Sequence, residues 1–204
     1  MARQRRRERL EKRAFATLTM PGNNIILVGM MCSGKSAAGK ALAKMLRRPF
    51  VDIDANISAN SGKSIAVIFA NGGEQAFRQL ESRELRRVLK KGGQVIATGG
   101  GIVCTADNIC RMRADGKNAV CYLRAPLSLL AKRALADNGA SRPLLAGSGD
   151  IKSVRGVLTK LFAERKALYE RAAHCIVDIS PRHNENDTAM CIMRALLSAA
   201  SFRP

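Results

Sequence analysis

Asn24-Ile25-Ile26-Leu27-Val28, then Gly29-Met30-Met31-Cys32-Ser33-Gly34-Lys35-Ser36, then Ala37 to Leu46: this stretch decides the fold. Ile25 to Val28 is a continuous apolar run, the pattern of a strand buried on both faces. Ser36 to Leu46 is rich in Ala, Leu, Lys and Met, which favour helix. Between them, Gly-x4-Gly-Lys-Ser has the spacing of a phosphate-binding loop. The glycines let the backbone curl so that successive N–H groups point inward at phosphate oxygens. A helix starting near Lys35 adds the positive end of its dipole. Lys35 is then placed to reach the β- and γ-phosphates of a nucleotide, and the Ser36 hydroxyl to ligate Mg²⁺.

Further along the chain, Arg47-Arg48 close the loop's helix, where positive charge suits the dipole. Pro49 to Asp54 is expected to be a short strand with Asp52 and Asp54 on one face, since residues i and i+2 share a face. At the C-terminal end of a strand they lie where open α/β sheets bind ligands, one toward Mg²⁺ and one toward a substrate hydroxyl. Ser64 is placed to cap a helix Ile65 to Ala70, and Asn71-Gly72-Gly73 to end it. A longer helix, Glu74 to Lys90, carries an apolar stripe of Phe77, Leu80, Leu85, Val88 and Leu89. Arg78, near its start, is at the wrong end of the dipole for a cation, which points to a ligand anion or a paired glutamate. Gln94 to Ala97 is a buried-type strand that runs into Thr98-Gly99-Gly100-Gly101, where backbone N–H groups are bare for close approach. Residues 105–114 are expected to be helical, Ala119 to Leu123 to be a fourth strand, and Leu127 to Ala136 a helix opened by Pro126. The loop from about 137 to 150, with Ser141-Arg142-Pro143-Leu144-Leu145, is long enough to act as a lid. A helical hairpin is expected over Val154 to Ala172, then a fifth strand, Cys175 to Ile179, and a closing helix from Asn186. Strand–helix alternation of this kind gives an α/β fold: three layers, α/β/α, around a central, mostly parallel five-stranded sheet.

The chain has 204 residues, 47% apolar and 25% charged, consistent with one globular domain over 22–204 preceded by a basic extension over 1–21. The formal charge is +19, and residues 1–20 hold seven Lys/Arg against two Glu, a surplus of +5. Such a surface attracts anionic small molecules, and also nucleic acid or acidic membrane nonspecifically, so charge alone does not choose a partner. Aromatics are only 4% of the chain, too few for a stacking platform for single strands. The six cysteines contain no CxxC pair, and Cys121 and Cys175 fall in apolar strand-like runs, as buried free thiols do. No run has the length of a membrane span. A soluble, cytoplasmic protein is expected.

Taken together, the motifs make the chain resemble shikimate kinase from Ile25 to about Ile179. They are Gly29-x4-Gly34-Lys35-Ser36, Phe50-x-Asp52-x-Asp54, Gly73-Glu74-x2-Phe77-Arg78-x2-Glu81, Ala97-Thr98-Gly99-Gly100-Gly101, Arg142-Pro143-Leu144-Leu145 and Glu164-Arg165-x3-Tyr169. The resemblance implies transfer of the ATP γ-phosphoryl group to the 3-hydroxyl of shikimate, with Mg²⁺. It implies ATP contacts at Gly29, Cys32, Ser33, Gly34, Lys35, Ser36 and Ala37, with Arg142 closing over the phosphates. Shikimate would be held by Asp54, Arg78, Gly99, Gly100, Gly101 and Arg165, and Asp52 would support the Mg²⁺ that Ser36 ligates. It implies catalysis through Lys35, Asp54 and Arg142, in a monomer with no membrane partner. Ser58 stands where the family usually has Glu, which would weaken substrate affinity if that Glu fixes an arginine. Pro181-Arg182 is a candidate for contact with adenine. A related gluconate or nucleotide kinase, and a nonenzymatic nucleic-acid-binding module using the basic tail, stay open as alternatives.

Overall fold

A computed structural model describes residues 23–116, 118–136, 143–145, 147 and 150–200. The basic extension, Arg142 and most of the expected lid lie outside the described residues. In chain order the elements are β1 (Asn24–Val28), α1 (Lys35–Leu46), β2 (Phe50–Asp52), α2 (Ile53–Ser61), α3 (Ile65–Leu89), β3 (Val95–Ala97), α4 (Ala106–Arg113), β4 (Asn118–Arg124), α5 (Leu127–Ala136), α6 (Ile151–Ala172), β5 (Cys175–Asp178) and α7 (Glu185–Ala200). The sheet runs β2-β3-β1-β4-β5, and every pairing in it is parallel. β1, at the centre, is buried along its whole length, which is why it reads as an unbroken apolar run. α1 packs on α7 on one face, while α4 and α6 pack together on the other, with α3 beside α4.

Three local expectations change. The strand after Pro49 ends at Asp52 rather than Asp54, because the Asp52 carboxylate accepts the Ala55 N–H at 3.2 Å and caps α2. Asp is a strong N-cap, and that hydrogen bond competes with extension of the strand. Asp54 therefore stands in the first turn of a helix, α2, that was not foreseen. The expected hairpin over Val154 to Ala172 is a single helix, capped by Asp150 at Lys152 and Ser153 N–H and holding only Gly156 as a weak breaker. Ile65–Leu89 is hydrogen-bonded as one run, but Gly73 at φ 67° and ψ −175° breaks it where the glycine pair predicts. Ser64 caps its start as expected, accepting the Val67 N–H.

Asn24 fastens the N-terminal edge of the sheet. Its amide donates to Lys91 O and Asn118 Oδ1 and its oxygen accepts from Gln94 N–H, each at 3.1 Å. The side chain is only 2% exposed, so Asn24→Ala leaves several buried polar groups unpaired. The expected cost is about 2–3 kcal/mol, seen as a lower urea midpoint at unchanged slope.

Candidate active site

At the C-terminal ends of β1 and β3 the chain turns twice in ways that only its sequence there permits. After β1, Cys32 (φ 62°) and Gly34 (φ 90°) are both left-handed, so the loop curls tightly into α1. The Lys35 ammonium, mostly buried, donates to the carbonyls of Gly29 at 2.9 Å and Met30 at 2.8 Å. Those bonds hold it across the mouth of the loop. Ser36 Oγ donates to Asp52 Oδ2 at 2.6 Å. A hydroxyl and a carboxylate side by side are hard oxygen donors of the kind Mg²⁺ takes, one or two from protein and the rest from phosphate and water. Arg133 Nη1 donates to Cys32 O at 3.2 Å and braces the loop from α5.

The Gly99–Gly101 turn lies against the acidic and basic groups of α2 and α3. A Cβ on Gly99 would strike Glu81 Oε1 and come within 2.8 Å of Asp54 Oδ1. A Cβ on Gly101 would overlap the Arg78 guanidinium. These glycines are needed for close approach rather than for unusual dihedrals, since the positive-φ glycines lie elsewhere.

Arg78 is gripped from both sides. Its Nη1 donates to Glu81 Oε2 at 2.6 Å, and Nη2 and Nε donate to Glu74 Oε1 at 2.8 and 3.2 Å. Although burial opposes its charge, Glu81 and Glu74 hold its pKa above the ordinary value. Of the two readings for Arg78, these bonds show the paired one. Arg165, 4% exposed, enters from α6 and donates to Gly100 O at 3.3 Å, and Tyr169 OH donates to the same carbonyl. Arg165 Nε has no hydrogen-bond partner among the described residues, nor has Glu81 Oε1. Buried polar atoms left in this state are costly unless a polar ligand meets them.

Glu81 closes the motif that holds Arg78, and the sequence alone assigns it no role. It is fully buried, and burial pushes its carboxyl up to about 7 against the pull of Arg78, with Asp54 nearby adding to the rise. An unfolded glutamate loses its proton near 4.5, so between these values the folded chain holds the extra proton. The stability this gives is complete below the unfolded value and is lost as pH rises through the folded one, about 3 kcal/mol in all. The melting temperature of the wild-type chain should therefore fall relative to that of Glu81→Gln between about pH 5 and about pH 8. A pH-independent difference between the two would refute the protonated state.

Two clefts meet here. One of about 480 Å³ runs over the loop residues Cys32 to Ala38 and on to Arg133, His183, Asn184 and Glu185. The other, of about 290 Å³, is lined by Arg78, Gly99 to Gly101, Arg165 and, from the expected lid, Pro143 and Leu144. Met31, Ser36, Asp52, Asp54 and Gly100 line both. The structure thus brings together the sequence-predicted residues of the loop, Asp52, Asp54, Arg78, the glycines and Arg165, while Arg142 lies outside the described residues. Gly29 does not line the first cleft; it shapes the loop from behind and accepts from Lys35. The sequence reading missed Arg133 and the segment His183 to Glu185, which follows Pro181-Arg182. The position of that segment just beyond the C-terminal end of a parallel strand was a usable signal.

A sequence model of the shikimate kinase family matches residues 31–196. The chain is 42% identical over 162 residues to a shikimate kinase of Nitrosomonas europaea, covering 79% of this chain and 72% of that one. It is 40% identical over 173 residues to one from Symbiobacterium thermophilum, covering 85% and 95%. Among solved structures, a shikimate kinase from Acinetobacter baumannii in complex with shikimate superposes with a TM-score of 0.78 at 33% identity, covering 91% of this chain and 97% of that one.

Proposed function

This chain belongs to the shikimate kinase family, and we propose that its two clefts divide the work between nucleotide and acceptor. It phosphorylates the 3-hydroxyl of shikimate with ATP, giving shikimate 3-phosphate and ADP. The observation that carries the assignment of residues is the shared wall: Ser36, Asp52, Asp54 and Gly100 face both clefts, so a group leaving one enters the other.

In this reading Cys32 to Ala37 form the phosphate cradle, with Gly29 shaping it from behind, and Lys35 turns its ammonium from the loop carbonyls to the β- and γ-phosphates. Ser36, with Asp52 bonded to its hydroxyl, would hold Mg²⁺, and the ion when bound would neutralise phosphate charge. Asp54 orients the attacking hydroxyl and accepts its proton. Arg78 and Arg165 bind the shikimate carboxylate, a planar anion that suits two guanidinium forks. Glu74 and Glu81 fix Arg78, while Tyr169 fixes the Gly100 carbonyl, so the Gly99–Gly101 backbone is rigid where it meets substrate. Arg142 would close over the phosphates from the loop over 137–150. Every residue in this scheme comes from one chain, which suits a monomer, and no described helix is long and apolar enough to cross a membrane. We place the chain in the cytoplasm, where ATP and free thiols persist.

The test is ADP release with ATP and Mg²⁺, with and without shikimate. Release that depends on shikimate is expected; release on gluconate or a nucleotide, with none on shikimate, would overturn the acceptor assignment. Arg78→Ala should raise KM for shikimate roughly 30- to 140-fold, the loss of about 2–3 kcal/mol in a charge-assisted contact. KM for ATP should change little; equal rises in both would contradict the division between clefts.

A further inference from the structure

Cys121 on β4 and Cys175 on β5 are direct register partners in the sheet. In a parallel pair, register partners point to the same face, and the strands lie about 4.8 Å apart, within the Cα separations of disulfides. Tyr122, the next residue of β4, stacks on Tyr169 of α6 at 5.0 Å between centroids. Cys121 and Cys175 therefore share the opposite face. Both are free thiols. The two thiols interact, and that contact together with burial raises the Cys121 pKa. Cys121 is fully buried, but Cys175 is partly exposed, on the last strand of the sheet beside the exposed Ile176. One residue of the pair thus lies at the partly exposed edge of the sheet, and the other is buried behind it.

We propose that Cys121 and Cys175 are a peroxide-oxidisable dithiol that closes into a reversible disulfide across β4 and β5. The Cys175 thiolate attacks one oxygen of the peroxide, the O–O bond breaks, and hydroxide leaves to take up a proton as water. The Cys121 sulfur, giving up its proton, then attacks the sulfur of the Cys175 sulfenic acid; the S–O bond breaks and a second water departs. Two thiols are oxidised by two electrons in all, and one hydrogen peroxide becomes two waters.

The full chain, reduced, freed of reductant and treated with hydrogen peroxide, is to be alkylated and digested with trypsin. The expected product is the peptide 118–124 linked to 172–182, returning to two alkylated peptides after reduction. In Cys121→Ala the link is lost and Cys175 is captured as a sulfenic acid by dimedone. Cys175→Ser, at a position that is not fully buried, provides the same loss of linkage should the first variant fold poorly. Recovery of both peptides fully alkylated, at a peroxide dose that oxidises the exposed Cys104, would overturn the proposal. So would Cys175 linked instead to another cysteine.

Discussion

Lys35→Ala should lower kcat by at least about 10³-fold, the loss of one preorganised cation from the transferring phosphoryl group. Phosphoryl transfer offers little covalent chemistry for side chains, so placement of charge supplies most of the barrier reduction. Lys35 stands at the loop itself, bonded to the Gly29 and Met30 carbonyls, from which its ammonium turns to the phosphates. A factor of about 10³ corresponds to roughly 4 kcal/mol of transition-state stabilisation. The substitution removes a largely buried charge and opens no apolar void, so the circular dichroism spectrum and melting should be near wild type. Steady-state kinetics and nucleotide titration together make the check. Turnover within tenfold of wild type would refute the loop assignment.

Asp54→Asn should lower kcat by about 10²- to 10⁴-fold while changing KM for shikimate only a few-fold. The amide keeps the size of the carboxylate and an oxygen that can accept from the hydroxyl, but it cannot take up the proton. Asp54 lies beside the Gly99 backbone and near the buried Glu81, so its position is set by packing that the substitution leaves intact. The deficit should persist at every pH at which the wild type is active. Wild-type kcat with a raised KM would mean that Asp54 only binds the acceptor and that the proton leaves by another route.

Ser58 stands where the family usually has a Glu, a residue placed to help fix a substrate arginine. In the structure Arg78 is held by Glu74 and Glu81, both from its own helix, which provides the anchoring without residue 58. The expectation of weakened affinity therefore loses its physical basis for Arg78.

Local patterns were enough to read β1, the phosphate loop and α1, because an apolar run, a glycine spacing and a helix-forming stretch each report on the chain within a few residues. The break at Gly73, the Ser64 cap and the residue types of both clefts were legible for the same reason. Even at short range some readings fail: alternation makes Asp54 a strand residue, whereas the Asp52 cap starts a helix at Ile53, and the hairpin expected over Val154 to Ala172 is a single helix. The remainder depended on partners far apart in sequence. Arg165 meets the Gly100 carbonyl, Arg133 meets Cys32 and His183 borders the phosphate loop only because the parallel sheet and its helices bring those segments to one edge. Glu81 reads as one more surface glutamate of an amphipathic helix until Asp54 and Gly99 close over it and bury it. Cys121 and Cys175 read as two separate core thiols until strand register sets them side by side. Sequence by itself determined which chemistry is present, because residue type and short spacing are local properties. Tertiary structure alone decided which groups touch and which lose water, because register and burial arise only when distant segments pack.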